Sequence, residues 1–482
     1  MGRPSVRAAV AGLRAGRLRE YAPFAVLAVV WFLAKFGRAL LPPLFPQLQT
    51  TYAVGSAETG LLFSVLMATY GLMQFPSGIL ADRAGSDRVI GAGLVVTAAG
   101  ALAFVLAPSF AVLLVAAAAF GLGTGVHKTV AMKALSVIYP ARRGGALGAF
   151  DTVGFLGSSA APLALVALGA LALDWRVAFG LAAVAAGAFV GLNRLYVAPA
   201  LRTARGDAAS DGRDGDHDGG ERDGAGAAGS GADGGTAGAP GGRDAAPPAA
   251  ADGDGPRGDA AGTDDGTAGA NGDAPDGALW GLARYVREFR RPLVAAFVGA
   301  VILYSTVWNA VAAFLPLYLI QVKGFSAATA NLLYSGFMVL GLVQAPAGGV
   351  TDRLGEVPVL VGSYLVALVG IAALLRSGGL AAVAVAGGGF GLAMHGVRPA
   401  RGSYLLRVFP DETGGGGLGL VRSLMVLVGS ATTALVGAAA DAVGLGTAFV
   451  GIAVVTGLAA VLIVAVAVLD RRGGGAEGDR AA

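Results

Sequence analysis

Twelve long apolar runs dominate the chain, and polar residues gather in the gaps between them. The runs lie near residues 22–44, 59–79, 88–107, 110–137, 146–168 and 176–198, then 292–320, 327–349, 357–375, 380–407, 417–440 and 445–469. Each approaches the ~20 residues a helix needs to cross a bilayer. In lipid every backbone N–H and C=O must be satisfied within the protein, so such runs predict helices. The expected fold class is all-α integral membrane with twelve transmembrane helices. The first run is too long for a signal peptide and contains Lys35 and Arg38, so it is read as a retained span.

The pattern is written twice. Gln74-Phe75-Pro76-Ser77-Gly78-Ile79-Leu80-Ala81-Asp82-Arg83-Ala84-Gly85 closes the second run. At an offset of 270 residues, Gln344-Ala345-Pro346-Ala347-Gly348-Gly349-Val350-Thr351-Asp352-Arg353-Leu354-Gly355 closes the eighth. At the same offset Pro46 meets Pro316, Ser56-Ala57 meets Ser326-Ala327, Phe120-Gly121-Leu122 meets Phe390-Gly391-Leu392, and Ala178-Phe179 meets Ala448-Phe449. A nearly gapless repeat over six spans predicts two six-helix bundles related by a parallel pseudo-two-fold axis. The expected organisation is a basic start at 1–20, one bundle at 21–200, a linker at 201–279, a second bundle at 280–470 and a tail at 471–482.

Composition sharpens this picture. The chain is 55% hydrophobic and 14% charged, well outside the range of a soluble domain of this size. It has no cysteine, which excludes disulfides and thiolate chemistry, and only three histidines, so no metal site is expected. The formal net charge of +4 hides a division: residues 203–277 hold 16 of the 31 acidic residues and 5 of the 35 basic ones. That Gly-, Ala- and Asp-rich linker has too little apolar material to offset ordering entropy, so disorder is expected there. Basic residues also set the expected orientation. Arg83, Arg88, Arg142, Arg143, Arg202, Arg353, Arg471 and Arg472 fall in one set of loops, against Arg176, Lys323 and Arg376 in the other. Both ends and the linker are therefore expected in the cytoplasm of a cell-membrane protein.

The duplicated turn, with Gly78, Asp82, Arg83, Gly85 and Arg88 in one copy and Gly348, Asp352, Arg353 and Gly355 in the other, resembles the signature of the major facilitator superfamily. The resemblance covers both halves apart from the linker. It implies a solute site between the bundles near mid-membrane, reached alternately from either side as the bundles rock. It also implies that these residues gate: Asp82 would meet a helix start in the other bundle and hold the cytoplasmic side shut. Two family features of proton-coupled members are missing or reduced. Ala117 stands where an Arg precedes the helix 4 glycine, and Gly154, Gly157, Ala161 and Pro162 only partly match the antiporter pattern of helix 5.

Ionisable residues inside spans are costly and mark function. Lys35 and Arg38 share a face of span 1, Lys128 lies on span 4, and Arg398 and Arg401 lie on span 10 with His395 three residues earlier. Arg422 on span 11 matches Asp151 on span 5 in the repeat, and Asp151 is the one clear acid among them. Cations in such excess point to a wet cavity that attracts anions, with Arg offering forked donors to carboxylate or phosphate. In the superfamily spans 1, 4, 7 and 10 line the cavity, and an Arg near Arg38 resembles its anion-transporting branches. Tyr304, Trp308 and Asn309 on span 7 add a polar-aromatic face. The candidate solute-binding set is Lys35, Arg38, Lys128, His395, Arg398, Arg401, Tyr304, Trp308 and Asn309; the candidate coupling set is Asp151, Arg422 and His127.

The segment Gly123-Thr124-Gly125-Val126-His127-Lys128-Thr129 ends like a phosphate loop, yet His127 replaces the final Gly and no strand precedes it. No nucleophile–base set or cofactor motif is found, so neither an enzyme nor a cofactor is expected. The sequence reads as a monomeric secondary transporter of a small anionic solute: an organic acid, phosphate ester or oxyanion. H⁺, Na⁺ or a counter-anion would serve as the coupling partner. A proton-coupled drug or metabolite exporter and a transporter-like sensor or scaffold are the alternatives.

Overall fold

The computed structural model describes the backbone of residues 6–204, 290–409 and 414–481, and within these the side chains outside 6–19, 414–420, 423 and 473–481. The linker expected to be disordered falls outside the described residues from position 205 onward. Among the described residues there are twelve helices long and apolar enough to cross a membrane, and no strand.

The first bundle comprises α1 (Val6–Tyr52), α2 (Ser56–Ala84), α3 (Ser86–Leu106), α4 (Phe110–Ile138), α5 (Pro140–Ala170) and α6 (Arg176–Ala204). The second comprises α7 (Pro292–Gln321), α8 (Ala327–Leu354), α9 (Glu356–Arg376), α10 (Leu380–Val408), α11 (Gly414–Val443) and α12 (Leu445–Ala481). Because successive helices alternate in direction, one end of the molecule carries residues 20, 204, 290 and 472; this is the terminal end. The other, the far end, carries the turns after α1, α3, α5, α7, α9 and α11.

The repeated residues are mostly packing residues. Phe104, Phe120 and Phe179 stack in the first bundle, with centroids 4.4 Å apart for Phe104–Phe179 and 6.2 Å for each contact of Phe120. Their repeat partners Phe390 and Phe449 are equally buried in the second bundle. Both copies of the duplicated turn end in a glycine with positive φ, 93° at Gly85 and 80° at Gly355. Only glycine adopts this without steric cost, so the helix–glycine–helix corner dictates the residue.

Two helices are interrupted. In α10 the helix stops at Gly396 and restarts at Arg398. Pro399 has no N–H to give the His395 carbonyl, which explains the break. In α8 a 3₁₀ turn at Leu340–Val343 precedes Pro346 for the same reason.

The bundles are joined from the middle to the far end. Along α2–α11, Ser64 and Thr433 hydroxyls meet, and Ala434 N–H donates to Ser64 Oγ at 2.9 Å. Along α5–α8, Ser335 Oγ donates to the Ser159 carbonyl at 2.6 Å. Between α1 and α7, Phe45 packs edge-on against Phe314, and Gln321 Nε2 donates to Gln49 Oε1 at 3.4 Å.

Candidate functional site

The site begins with one indole. Trp31, 1% exposed on α1, stacks on Phe150 of α5 with centroids 5.6 Å apart and planes 9° from parallel. Gly154 of α5 leaves room for the ring, since a Cβ there would collide with the indole. Three cations gather around it: Lys35 Nζ at 5.3 Å, Arg38 Cζ at 5.3 Å and Lys128 Nζ at 6.0 Å from the ring centre. Arg38 also lies 3.7 Å over Tyr70 of α2, and Lys35 Nζ lies 4.1 Å over Phe155 of α5.

Phe155 carries the site across to the other bundle. Its edge meets the imidazole of His395 at 6.2 Å, and His395 meets Trp308 of α7 at 4.8 Å. Arg398 then lies over Trp308 at 4.8 Å, and Arg401 over Tyr304 at 4.6 Å. A continuous chain of cation and aromatic contacts therefore runs Lys35–Phe155–His395–Trp308–Arg398. Lys35 also feels the charges of Asp151, Lys128 and Arg38 from its own bundle and of Arg398 from the other.

The ring contacts do not settle these charges. A cation over an aromatic face gains ~0.5–2 kcal/mol. Taking an ion out of water costs several kcal/mol unless it is paired and hydrogen-bonded. Arg38 is 8% exposed and its Nη1 has no hydrogen-bond partner; the same holds for Arg398 Nε. Both are buried guanidinium donors on facing bundles, a chemistry suited to carboxylate or phosphate oxygens.

Other candidates are placed differently. The Tyr304 hydroxyl donates to the Met394 carbonyl, so only its ring remains for Arg401. Asn309 Nδ2 donates to the Ser305 carbonyl at 2.8 Å and packs against Gly429 of α11, tying α7 to α11. His127 is 3% exposed inside the first bundle, with Nε2 3.0 Å from the Leu27 carbonyl, and lines a small cavity with Ala34, Thr97 and Thr124. Asp151 and Arg422 are each half-buried.

At the terminal end Asp82 pairs with Lys133 of α4, in its own bundle, with its side chain 63% exposed. The contact with a helix start of the other bundle, expected from the resemblance, is not the one seen here. Arg83, Arg88, Asp352 and Arg353 are exposed, whereas Gly78 faces Thr129 and packs α2 on α4. Gly348 has open space where a Cβ would be. Among the described residues no three His, Asp or Glu side chains gather as metal ligands.

Tyr304, Trp308 and His395 were among the expected residues; the rings missed are those of the first bundle, Trp31, Tyr70 and Phe155. Trp31 was findable, because Trp31, Lys35 and Arg38 recur at i, i+4 and i+7 on one helix face. Tyr70 and Phe155 come from other helices and left no local signal.

The arrangement defines a two-bundle polytopic membrane protein with a cationic, aromatic-walled site where the bundles meet. The profile of the Major Facilitator Superfamily matches residues 27–343 and 297–482, and the chain belongs to that family. Among curated relatives it is 30% identical over 168 residues to the uncharacterized transporter YybO of Bacillus subtilis, 34% of this chain and 38% of that protein. It is 29% identical over 175 residues to the membrane sensor protein UhpC of Escherichia coli, 34% of this chain and 39% of that protein. A probable 4-methylmuconolactone transporter of Cupriavidus pinatubonensis is 31% identical over 154 residues, 31% of this chain and 36% of that protein. The chain thus matches less than two fifths of the length of these relatives. The fold extends further. A bacterial homolog of the human lysosomal transporter Spinster, in an inward-facing and unoccupied conformation, superposes with a TM-score of 0.64 at 15% identity, covering 93% of this chain and 97% of that one. The xylose transporter XylE of E. coli gives 0.63 at 12% identity, covering 92% and 97%.

Proposed function

We propose that the protein is a secondary transporter that moves a small anionic solute across the cell membrane by alternating access. The observation that carries this reading is the convergence of Lys35, Arg38 and Lys128 from one bundle with Arg398 and Arg401 from the other. Arg38 Nη1 and Arg398 Nε are left as buried donors, and among the described residues Asp151 is the one carboxylate whose charge acts on Lys35. An anion between the bundles would satisfy donors on both and lower the repulsion between two like-charged faces. Solute occupancy and bundle closure would then be linked through one contact set.

An organic acid, a phosphate ester or an inorganic oxyanion all meet this donor set. The coupling partner is H⁺, Na⁺ or a counter-anion, and the unit is a monomer. With basic residues concentrated at the terminal end, that end faces the cytoplasm; joining at the far end then leaves the site facing inward. A second reading, a transporter-like sensor, is favoured by the likeness to UhpC, which is itself named a membrane sensor. Uptake into liposomes containing the purified protein separates the two. A panel of labelled carboxylates, phosphate and phosphate esters, with and without pH and Na⁺ gradients, should show flux for at least one anion. Anion binding without flux would support the sensor, and neither binding nor flux would remove the anion reading.

A further inference from the structure

The far end holds a contact that the gating motif did not announce. Helix α2 starts at Ser56 behind Gly55, and its first N–H groups have no partner within the helix. Glu58 Oε2 accepts the Gly55 N–H at 2.9 Å. The next two are taken from outside the bundle: Asp441 of α11 accepts Ser56 N–H through Oδ1 at 2.8 Å and Ala57 N–H through Oδ2 at 2.7 Å. One carboxylate thus caps a helix 385 residues away in sequence.

Three observations argue that this is a device rather than a chance contact. Asp441 sits in the last turn of α11, where the helix dipole disfavours a negative charge, so its local position is poor and only the trans contact compensates. The equivalent helix of the other half solves the same problem alone. Ser326, the repeat partner of Ser56, caps α8 with its own Oγ, which accepts Thr329 N–H at 3.2 Å. Finally, Gly437, one turn before Asp441, lets the α2 backbone at Ser56 approach so closely that a Cβ would collide. The turn itself reads Asp441-Ala442-Val443-Gly444 with φ of 86° at Gly444, the geometry of Asp82-Arg83-Ala84-Gly85 at the opposite end of the α2–α11 pair.

We infer that Asp441 is a far-end latch for the transport cycle: it caps α2 only while the bundles are closed at that end, and it releases Ser56 and Ala57 N–H when they part. Asp441 is solvent-exposed, so the latch is weak enough to cycle. The inference rests on the carrier reading, not on the nature of the solute.

The test needs no solute. The sequence has no cysteine, so a Ser109→Cys/Gly378→Cys pair, one exposed far-end site on each bundle, accepts spin labels without background. Distances are measured on the full chain in lipid nanodiscs. Asp441→Asn and Asp441→Ala should raise the ratio of long to short far-end distances about two- to fivefold, and Asp441→Glu should restore it in part. Ser56→Pro is the complementary variant. Position 56 is the first helical residue, where proline is tolerated, and Gly55 is already extended at φ −94° and ψ −166°. It removes one donor without touching Asp441, and combined with Asp441→Ala it should add little. Unchanged distances in Asp441→Asn and Ser56→Pro, beside a wild type that shows two distances, would overturn the latch and leave the carrier reading standing. A wild type fixed at one distance under every condition would count against both.

Discussion

Phe120 and Phe390 are repeat partners, and each is buried inside its own bundle. Arg38 and Trp308 are also repeat partners, yet one is a guanidinium lying over aromatic rings and the other is a ring beneath a guanidinium. Lys128 and Arg398 keep a cation at the same place in both halves. Across the site the repeat thus keeps the charge at one pair of positions, Lys128 and Arg398, and exchanges cation for ring at another, Arg38 and Trp308. A site between unlike faces can hold an asymmetric solute in one orientation, whereas two identical faces could not distinguish its ends.

Substitutions at paired positions separate the two halves. The largest effect is expected at the indole that organises the first half. Trp31→Ala, at a fully buried position, should cost about 3–5 kcal/mol and lower the unfolding midpoint in detergent sharply. Trp308→Ala, half-buried at the bundle interface, should cost less stability while still weakening anion binding. Equal losses of stability would contradict the division into a packed hub and an interface ring. Next, Arg38→Lys keeps the charge but loses the fork, and should weaken anion affinity by about tenfold, read by isotope binding. Lys128→Arg imitates the second half and should change affinity only slightly.

Smaller effects test the scaffold. Gly85→Ala and Gly355→Ala should each destabilise by about 1 kcal/mol, because both corners need positive φ. Smaller again, Ser326→Ala should remove about 1 kcal/mol or less of local capping from α8. Ser56→Ala should be nearly silent, since the start of α2 is capped by Asp441 instead. Both pairs can be read as shifts in unfolding midpoint.

Much of this was legible in the chain. Twelve apolar runs became twelve helices, because length and hydrophobicity are local properties that a membrane fold must satisfy. The repeat offset paired Phe120 with Phe390, and both are buried; Ser56 and Ser326 both lie at helix starts, one residue apart in register. Edges were less legible: the runs read near 146–168 and 417–440 belong to helices spanning Pro140–Ala170 and Gly414–Val443, since helices continue past the apolar stretch. The cations were visible because charge in a hydrophobic run stands out. Of their ring partners Trp308 and Tyr304 were also visible, whereas Phe155 and Tyr70 look like ordinary core residues until the helices are assembled. Asn309, a polar residue in a span, donates from its Nδ2 to the Ser305 carbonyl of its own helix, a bond that the sequence does not specify. Asp82 shows a third limit: its partner here is Lys133 of its own bundle, a pairing between two helices that local sequence does not signal.

The most direct test of the proposed anion site is uptake of the best-transported anion by wild type, Arg38→Ala, Arg398→Ala and the double variant in liposomes. Each single variant should lose flux by tenfold or more, and the double variant should lose little beyond the worse single one, because both arginines act on one solute. Flux that is indifferent to both substitutions, in protein that inserts and folds normally, would contradict the anion site.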